Sequence, residues 1–138
     1  MTTTPTRPAG SVVTATPPAG SDAAARHFAD LLAFETDCWD VNHAITSGTK
    51  DFVLLDVRSA DQYAEGHVPT AVSLPHGRIV ERNIAPYDQD TVFVVYCAGP
   101  HCNGADKAAL RLARLGRPVK KMIGGVTGWL DEGYELDV

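Results

Sequence analysis

The run Thr91-Val92-Phe93-Val94-Val95-Tyr96-Cys97-Ala98-Gly99-Pro100-His101-Cys102-Asn103-Gly104 decides the fold. Val92 to Tyr96 are apolar or β-prone without alternation, the pattern of a short strand buried on both faces. A cysteine follows, then a tight segment with two glycines and a proline. The next run, Ala105 to Leu115, repeats small and apolar residues (Ala105, Ala108, Ala109, Leu112) at helical spacing. A thiol between a strand's carboxyl end and a helix's amino end faces unpaired backbone N–H groups and the positive end of a macrodipole. Both favour thiolate, the nucleophilic form of cysteine. Cys97 is therefore the first candidate for chemistry.

Outward from this unit the same alternation recurs. Phe52 to Val57 reads as a second buried strand, Val72 to Leu74 as a third and Val119 to Ile123 as a fourth, with Thr36 to Cys38 as a short edge strand. Helices are expected from Asp40, as cap, through Ser47; from Ala60 to Glu65, capped by Ser59 and stopped by Gly66; and from Val126 to Glu132. Residues 76–83 suggest an exposed helix and 86–90 a loop. Strands alternating with short helices indicate an open, mainly parallel α/β sheet with helices on both faces. Ligands gather beyond the carboxyl ends of such strands. Cys97 lies at that position, and Asp56, at the end of its own strand, is expected near it.

The 138 residues suit one domain with an ordinary core. Hydrophobic residues at 44% and charged residues at 21% exclude a disordered chain. Residues 1–20, nearly all Thr, Pro, Ala, Gly, Ser and Val, are expected to form a disordered tail. An additional helix over 21–35 is expected next, capped by Ser21, with Phe28, Leu31 and Leu32 on the face that packs on the domain; residues 36–138 form the domain proper. A net charge of −5 with no basic cluster argues against nucleic-acid binding. Lys120, Lys121, Arg111, Arg114 and Arg117 read as solvated surface. There is no run of ~20 apolar residues for a membrane span and no apolar leader. Three cysteines do not make a disulfide framework, which points to a reducing, cytoplasmic location.

Three segments in register resemble the rhodanese-like (sulfurtransferase) family. They are Leu54-Leu-Asp-Val-Arg58 with Tyr63-Ala-Glu-Gly-His-Val-Pro69 and Ala71-Val-Ser-Leu-Pro75; Val95-Tyr-Cys97 with its loop and Ala-rich helix; and Gly124-Gly-Val-Thr-Gly-Trp129. The resemblance covers roughly Thr36 to Val138. It implies a three-layer sandwich around a five-stranded, mainly parallel sheet, with Cys97 carrying sulfur as a persulfide. Two departures stand out. The loop Ala98-Gly99-Pro100-His101-Cys102-Asn103 lacks the Arg or Lys common in the family, and Pro69-Thr70-Ala71 replaces Pro-Gly-Ala in what reads as a harmless turn variant.

The resemblance implies sulfur transfer from thiosulfate or a persulfide to a thiophilic acceptor: cyanide, a thiol or a carrier protein. The nucleophile itself would carry the intermediate, so neither a metal nor an organic cofactor is expected. Residues 98–103 would bind the substrate, largely through backbone N–H groups. Cys102 is either a bystander or a second thiol that attacks a persulfide or disulfide on Cys97. His101 either adds positive charge when protonated or faces solvent. Asp56 and Arg58 read as a structural ion pair, Cys38 as core, and His67 as the holder of its turn. Two alternatives stay open. One is a non-enzymatic sulfur-relay or protein-binding module; the other is a phosphatase or arsenate reductase, for which the loop lacks the usual cationic clamp. A monomer or weak homodimer is expected.

Overall fold

The computed structural model describes residues 10–138. The chain divides at Leu31 and Leu32 into two units. In the first, a single helical turn, α1 (Val12–Ala15), stands where the sequence pattern indicates no element; the part of the expected tail before residue 10 lies outside the described residues. Helix α2 (Ser21–Phe34) starts one residue earlier than expected: Ser21 is its first helical residue, not its cap, and the Gly20 carbonyl accepts from the Ala24 N–H at 2.9 Å. None of its residues is buried, and Phe28 and Leu32 are 60% and 73% exposed.

The second unit continues with β1 (Glu35–Thr36), α3 (Cys38–Thr46), β2 (Val53–Asp56), α4 (Ala60–Glu65), β3 (Val72–Ser73), a 3₁₀ turn (His76–Arg78), α5 (Glu81–Ile84), β4 (Phe93–Tyr96), α6 (Gly104–Arg114), β5 (Val119–Met122) and α7 (Gly125–Asp131). The five strands form one sheet in the order β1-β5-β4-β2-β3, every pairing parallel. Strand β4 lies at its centre. Phe93, Val95 and Cys97 face one core, with Leu55, Val57 and the Ala105–Ala108–Leu112 stripe of α6. Val94 and Tyr96 face the other, with Leu54, Val41, Met122 and Trp129. Alternate side chains of one strand thus reach two cores, which is why no polar residue interrupts it.

The start of the sheet differs from the sequence reading. The edge strand is Glu35–Thr36, and the cap of α3 is Asp37, not Asp40; the Asp37 carboxylate accepts from the Asp40 N–H at 2.8 Å. A cap accepts from the N–H two or three positions on. With Asp37 in that role, Cys38 and Val41 share one buried face, and Trp39 stays 56% exposed. Cys38 is therefore core, as expected, but from a helix and not a strand.

Arg117 also departs from the sequence reading. Expected in solvent, it is 3% exposed, and its guanidinium donates to the carbonyls of Asp88 at 2.5 Å and of Ile84 and Tyr87 at 3.1 Å. It ties the 84–88 loop to the turn before β5. Arg111 and Arg114 are exposed.

The Pro69-Thr70 turn is not a neutral variant either. Ala71 N–H donates to the Val68 carbonyl at 3.0 Å, and Thr70 holds φ 74°. Pro followed by a positive-φ residue is the type II pattern, which favours glycine at the second central position. A β-branched residue there is a strained choice.

Candidate functional site

Cys97 leaves the end of β4 and is 7% exposed. The backbone after it is tied down on one side by α7: Val126 N–H donates to the Cys97 carbonyl at 3.1 Å, and Thr127 N–H and Oγ1 donate to the Ala98 carbonyl at 3.0 and 3.1 Å. This close approach explains Gly125. Its φ is 57°, and a Cβ there would lie 2.8 Å from the Gly99 nitrogen. The loop then curls back, with Cys102 N–H donating to the Gly99 carbonyl at 3.0 Å.

That curl brings the two thiols of the loop together, Cys97 Sγ and Cys102 Sγ lying 2.6 Å apart. The first N–H of α6, from Gly104, points at Cys102 Sγ from 3.5 Å, and the Asn103 side chain makes no cap. Gly104 is a steric requirement of the pair, since a Cβ at that position would stand 2.7 Å from Cys97 Sγ.

The order of proton loss differs from the expectation of a Cys97 thiolate. Burial, followed by the hydrogen bond to Cys102, pushes the Cys97 thiol up to about 11. The hydrogen bond from Cys97 and the backbone at Gly104 lower that of Cys102. The helix terminus acts on the neighbour, and the buried sulfur pays the cost of desolvation. The pair therefore shares its first negative charge across the Cys97–Cys102 contact.

Two clefts meet at the sulfurs, each lined by both Cys97 and Cys102. One, of about 190 Å³, is completed by Gly99, Lys121, Gly124 and Gly125. The other, of about 330 Å³, is completed by Arg58, Gln62, His76 and Asn103. Lys121 supplies the cation absent from the loop itself. It comes from β5, the neighbour of β4, and pairs with Asp106 of α6 at 2.9 Å, its side chain 27% exposed. Sequence reasoning assigned Lys121 to the solvent; the available signal was its place near the carboxyl end of a strand. His101 is exposed and lines neither cleft. Ala98 is half-buried, and Pro100 lines the smaller cleft.

Asp56 lies at the end of β2, opposite Tyr96 in register. It is fully buried and fully bonded. Its oxygens accept from Arg58 N–H (3.0 Å), Nε (3.1 and 3.2 Å) and Nη2 (2.7 Å), and from the Tyr96 hydroxyl (2.8 Å). Arg58 Nη2 also donates to the Gly66 carbonyl at 2.6 Å, and Tyr96 accepts from Val68 N–H at 3.0 Å. Burial and Asp56 raise the Tyr96 phenol far above its usual range. For Arg58 burial acts against the charge, and the Asp56 hydrogen bond and charge outweigh it, raising its pKa. His67 stacks on Tyr63 at 3.7 Å, with Nδ1 2.9 Å from the Tyr63 carbonyl. These residues hold the turn beside the site.

Residues 41–132 match the family model of the rhodanese-like domain, and the chain belongs to that family. Among solved structures it is similar to the BH2092 protein from Bacillus halodurans, at 40% identity and TM-score 0.83 over 86% of each chain. It also resembles the rhodanese-like domain of the Anabaena sp. Alr3790 protein, at 25% identity and TM-score 0.67 over 75% of this chain and 77% of that one. A thiosulfate sulfurtransferase from Pseudomonas aeruginosa shares the fold, at 24% identity and TM-score 0.61 over 83% of this chain and 21% of that one. In sequence, 63% of the chain is 35% identical to an HTH-type transcriptional regulator from Mycobacterium tuberculosis, of which it spans 38%. Among the described residues no helix is long and apolar enough to cross a membrane.

Proposed function

We propose that this protein is a sulfurtransferase that moves sulfane sulfur from thiosulfate or a persulfide donor to a thiophilic acceptor through a persulfide on Cys97. The observation that carries this reading is the placement of Cys97 between a proton-accepting thiol at 2.6 Å and a cleft that also contains Lys121. Cys102 takes the Cys97 proton, and the Cys97 sulfur attacks the outer sulfur of the donor. With thiosulfate, the S–S bond breaks and sulfite leaves with the electron pair. Lys121 and the loop backbone offset the donor's charge. The acceptor, whether cyanide, a small thiol or a protein thiol, then attacks the outer sulfur of the persulfide. A reducing compartment, the cytoplasm, suits three free thiols.

The test is sulfite release from thiosulfate, together with thiocyanate formation when cyanide is the acceptor. Cys97→Ser should abolish both in a protein with an unchanged circular dichroism spectrum, because a hydroxyl forms no persulfide. Substantial residual turnover in that folded variant would sink the assignment. The regulator among the relatives favours a second reading, in which the domain is a sulfur-relay or sensing module for a protein partner. That reading predicts a single round of sulfite release and no sustained turnover with small acceptors even when a dithiol is present.

A further inference from the structure

We propose that Cys102 is the resolving thiol of a two-cysteine cycle: sulfur taken up on Cys97 leaves as hydrosulfide, and the protein is left with a Cys97–Cys102 disulfide. This rests on the sulfurtransferase reading and adds to it the fate of the sulfur.

The geometry sets the two sulfurs against each other more closely than any external acceptor could be held in advance. They lie 2.6 Å apart on a loop whose curl is fixed by the Cys102–Gly99 backbone bond and by the absence of a side chain at Gly104. An intramolecular thiol in this position competes with free acceptors at a very high effective concentration. Cys102 is also the more open of the two, half-buried where Cys97 is buried.

The step balances without a metal or an oxidant. The Cys102 thiolate attacks Cys97 Sγ; the Cys97–Cys102 bond forms as the persulfide S–S bond breaks; and its electron pair leaves on the outer sulfur as hydrosulfide. The sulfane sulfur is reduced by two electrons, and the two cysteine sulfurs are oxidised by one each. With thiosulfate as donor, the sum is thiosulfate plus two thiols giving sulfite, hydrosulfide and a disulfide. A small thiol or a dithiol protein reopens the disulfide by exchange. The two clefts give these events separate approaches. The anionic donor suits the one that holds Lys121, and the reductant reaches the sulfurs through the larger one.

The experiment uses the full chain, reduced, freed of small thiols and kept anaerobic, with one equivalent of thiosulfate. Sulfite, hydrosulfide and intact mass are measured for wild type, Cys102→Ser and Cys102→Ala. Wild type should release sulfite and hydrosulfide in equal amounts and lose two hydrogen atoms. Both variants, assayed at alkaline pH where Cys97 ionises without Cys102, should release sulfite more slowly than wild type, keep one extra sulfur atom and release hydrosulfide only after a dithiol is added. If wild type keeps the extra sulfur as the variants do, the resolving role falls and the Cys97 persulfide stands. A disulfide formed without hydrosulfide also overturns it. If no form releases sulfite, the sulfur-transfer reading fails and this inference with it.

Discussion

Two neighbouring strands end in polar groups that are built in opposite ways. At the end of β2, Asp56 is saturated: two oxygens share bonds from Arg58 and Tyr96, and Arg58 spends its remaining reach on the Gly66 carbonyl. At the end of β4, Cys97 and Cys102 have each other, one helix N–H, and open space on two sides. Register pairs Asp56 with Tyr96, one residue before Cys97, so the two ends share a layer of the fold. A saturated polar cluster rigidifies its surroundings. An unsaturated one backed by such a cluster keeps its geometry while remaining reactive. The reactive end is held still by the inert one.

The comparison breaks first at Asp56. Asp56→Ala leaves the Arg58 guanidinium buried without its counterion and the Tyr96 hydroxyl without its acceptor. Removing one partner of a buried pair costs about 3–5 kcal/mol. Denaturant unfolding should show a loss in that range, with transfer activity falling because β4 loses its support. A loss below about 1 kcal/mol would mean that the cluster is peripheral to the fold.

The thiol pair is probed by pH. Cys102, its thiol lowered by the Cys97 hydrogen bond and the Gly104 backbone, should be alkylated by iodoacetamide below the pH at which an ordinary thiol reacts. Cys97, raised to about 11 chiefly by burial, should react only at alkaline pH. In Cys102→Ser the burial remains and the proton acceptor is gone, so uptake of sulfur by Cys97 should shift to higher pH. Peptide mapping of the alkylated protein reads the order directly. Cys97 labelled first at neutral pH would reverse the proposed roles.

A smaller effect is expected at Lys121. Its charge is partly spent on Asp106 and partly exposed, so its contact with an anionic donor is set at about 1 kcal/mol, roughly a fivefold rise in KM for thiosulfate in Lys121→Ala. Asp106→Asn frees the ammonium and should lower KM. An unchanged KM in both would return donor binding to the loop backbone alone. His101→Ala should change KM less than Lys121→Ala, because its ring is exposed and lines neither cleft.

Much of this site could be read before the fold was known. The apolar run Val92–Tyr96, the cysteine and the small-residue helix face specify β4, Cys97 and α6 because each rests on local periodicity. The alternating strand and helix signals specify the parallel sheet for the same reason. Lys121 was not legible as a site residue, since nothing local to Val119–Met122 says that β5 lies beside β4. Arg117 resembled any cation at a helix end; its three acceptors are backbone carbonyls from residues 84–88, distant in sequence. The 2.6 Å thiol contact depends on the curl of the loop, held by the Cys102–Gly99 backbone bond in a segment whose start α7 ties down. The cap of α3 was misplaced because Asp37 and Asp40 offer the same chemistry, and only burial of Cys38 and Val41 chooses between them.

On the Asp56 side of the site, the Val68–Ala71 turn carries strain. Val68 N–H donates to the Tyr96 hydroxyl and the Ala71 carbonyl accepts from the Tyr63 hydroxyl, so the turn is fastened at one end to the network around Asp56 and at the other to α4. Thr70, between them, is held at φ 74°. The left-handed conformation costs an ordinary L-residue roughly 1–2 kcal/mol, and a β-branched side chain stands at the unfavourable end. Glycine removes that cost and adds about 0.5–1 kcal/mol of backbone entropy lost on folding. The balance for Thr70→Gly is a gain of about 0.5–1 kcal/mol, or roughly 2–4 °C in Tm for a chain of this size. Thr70 is exposed, so no packing is lost in the exchange. Transfer activity should not change, because the substitution relaxes the support without touching either cleft. A fall in Tm would show that the threonine side chain stabilises the turn by more than its backbone strain costs.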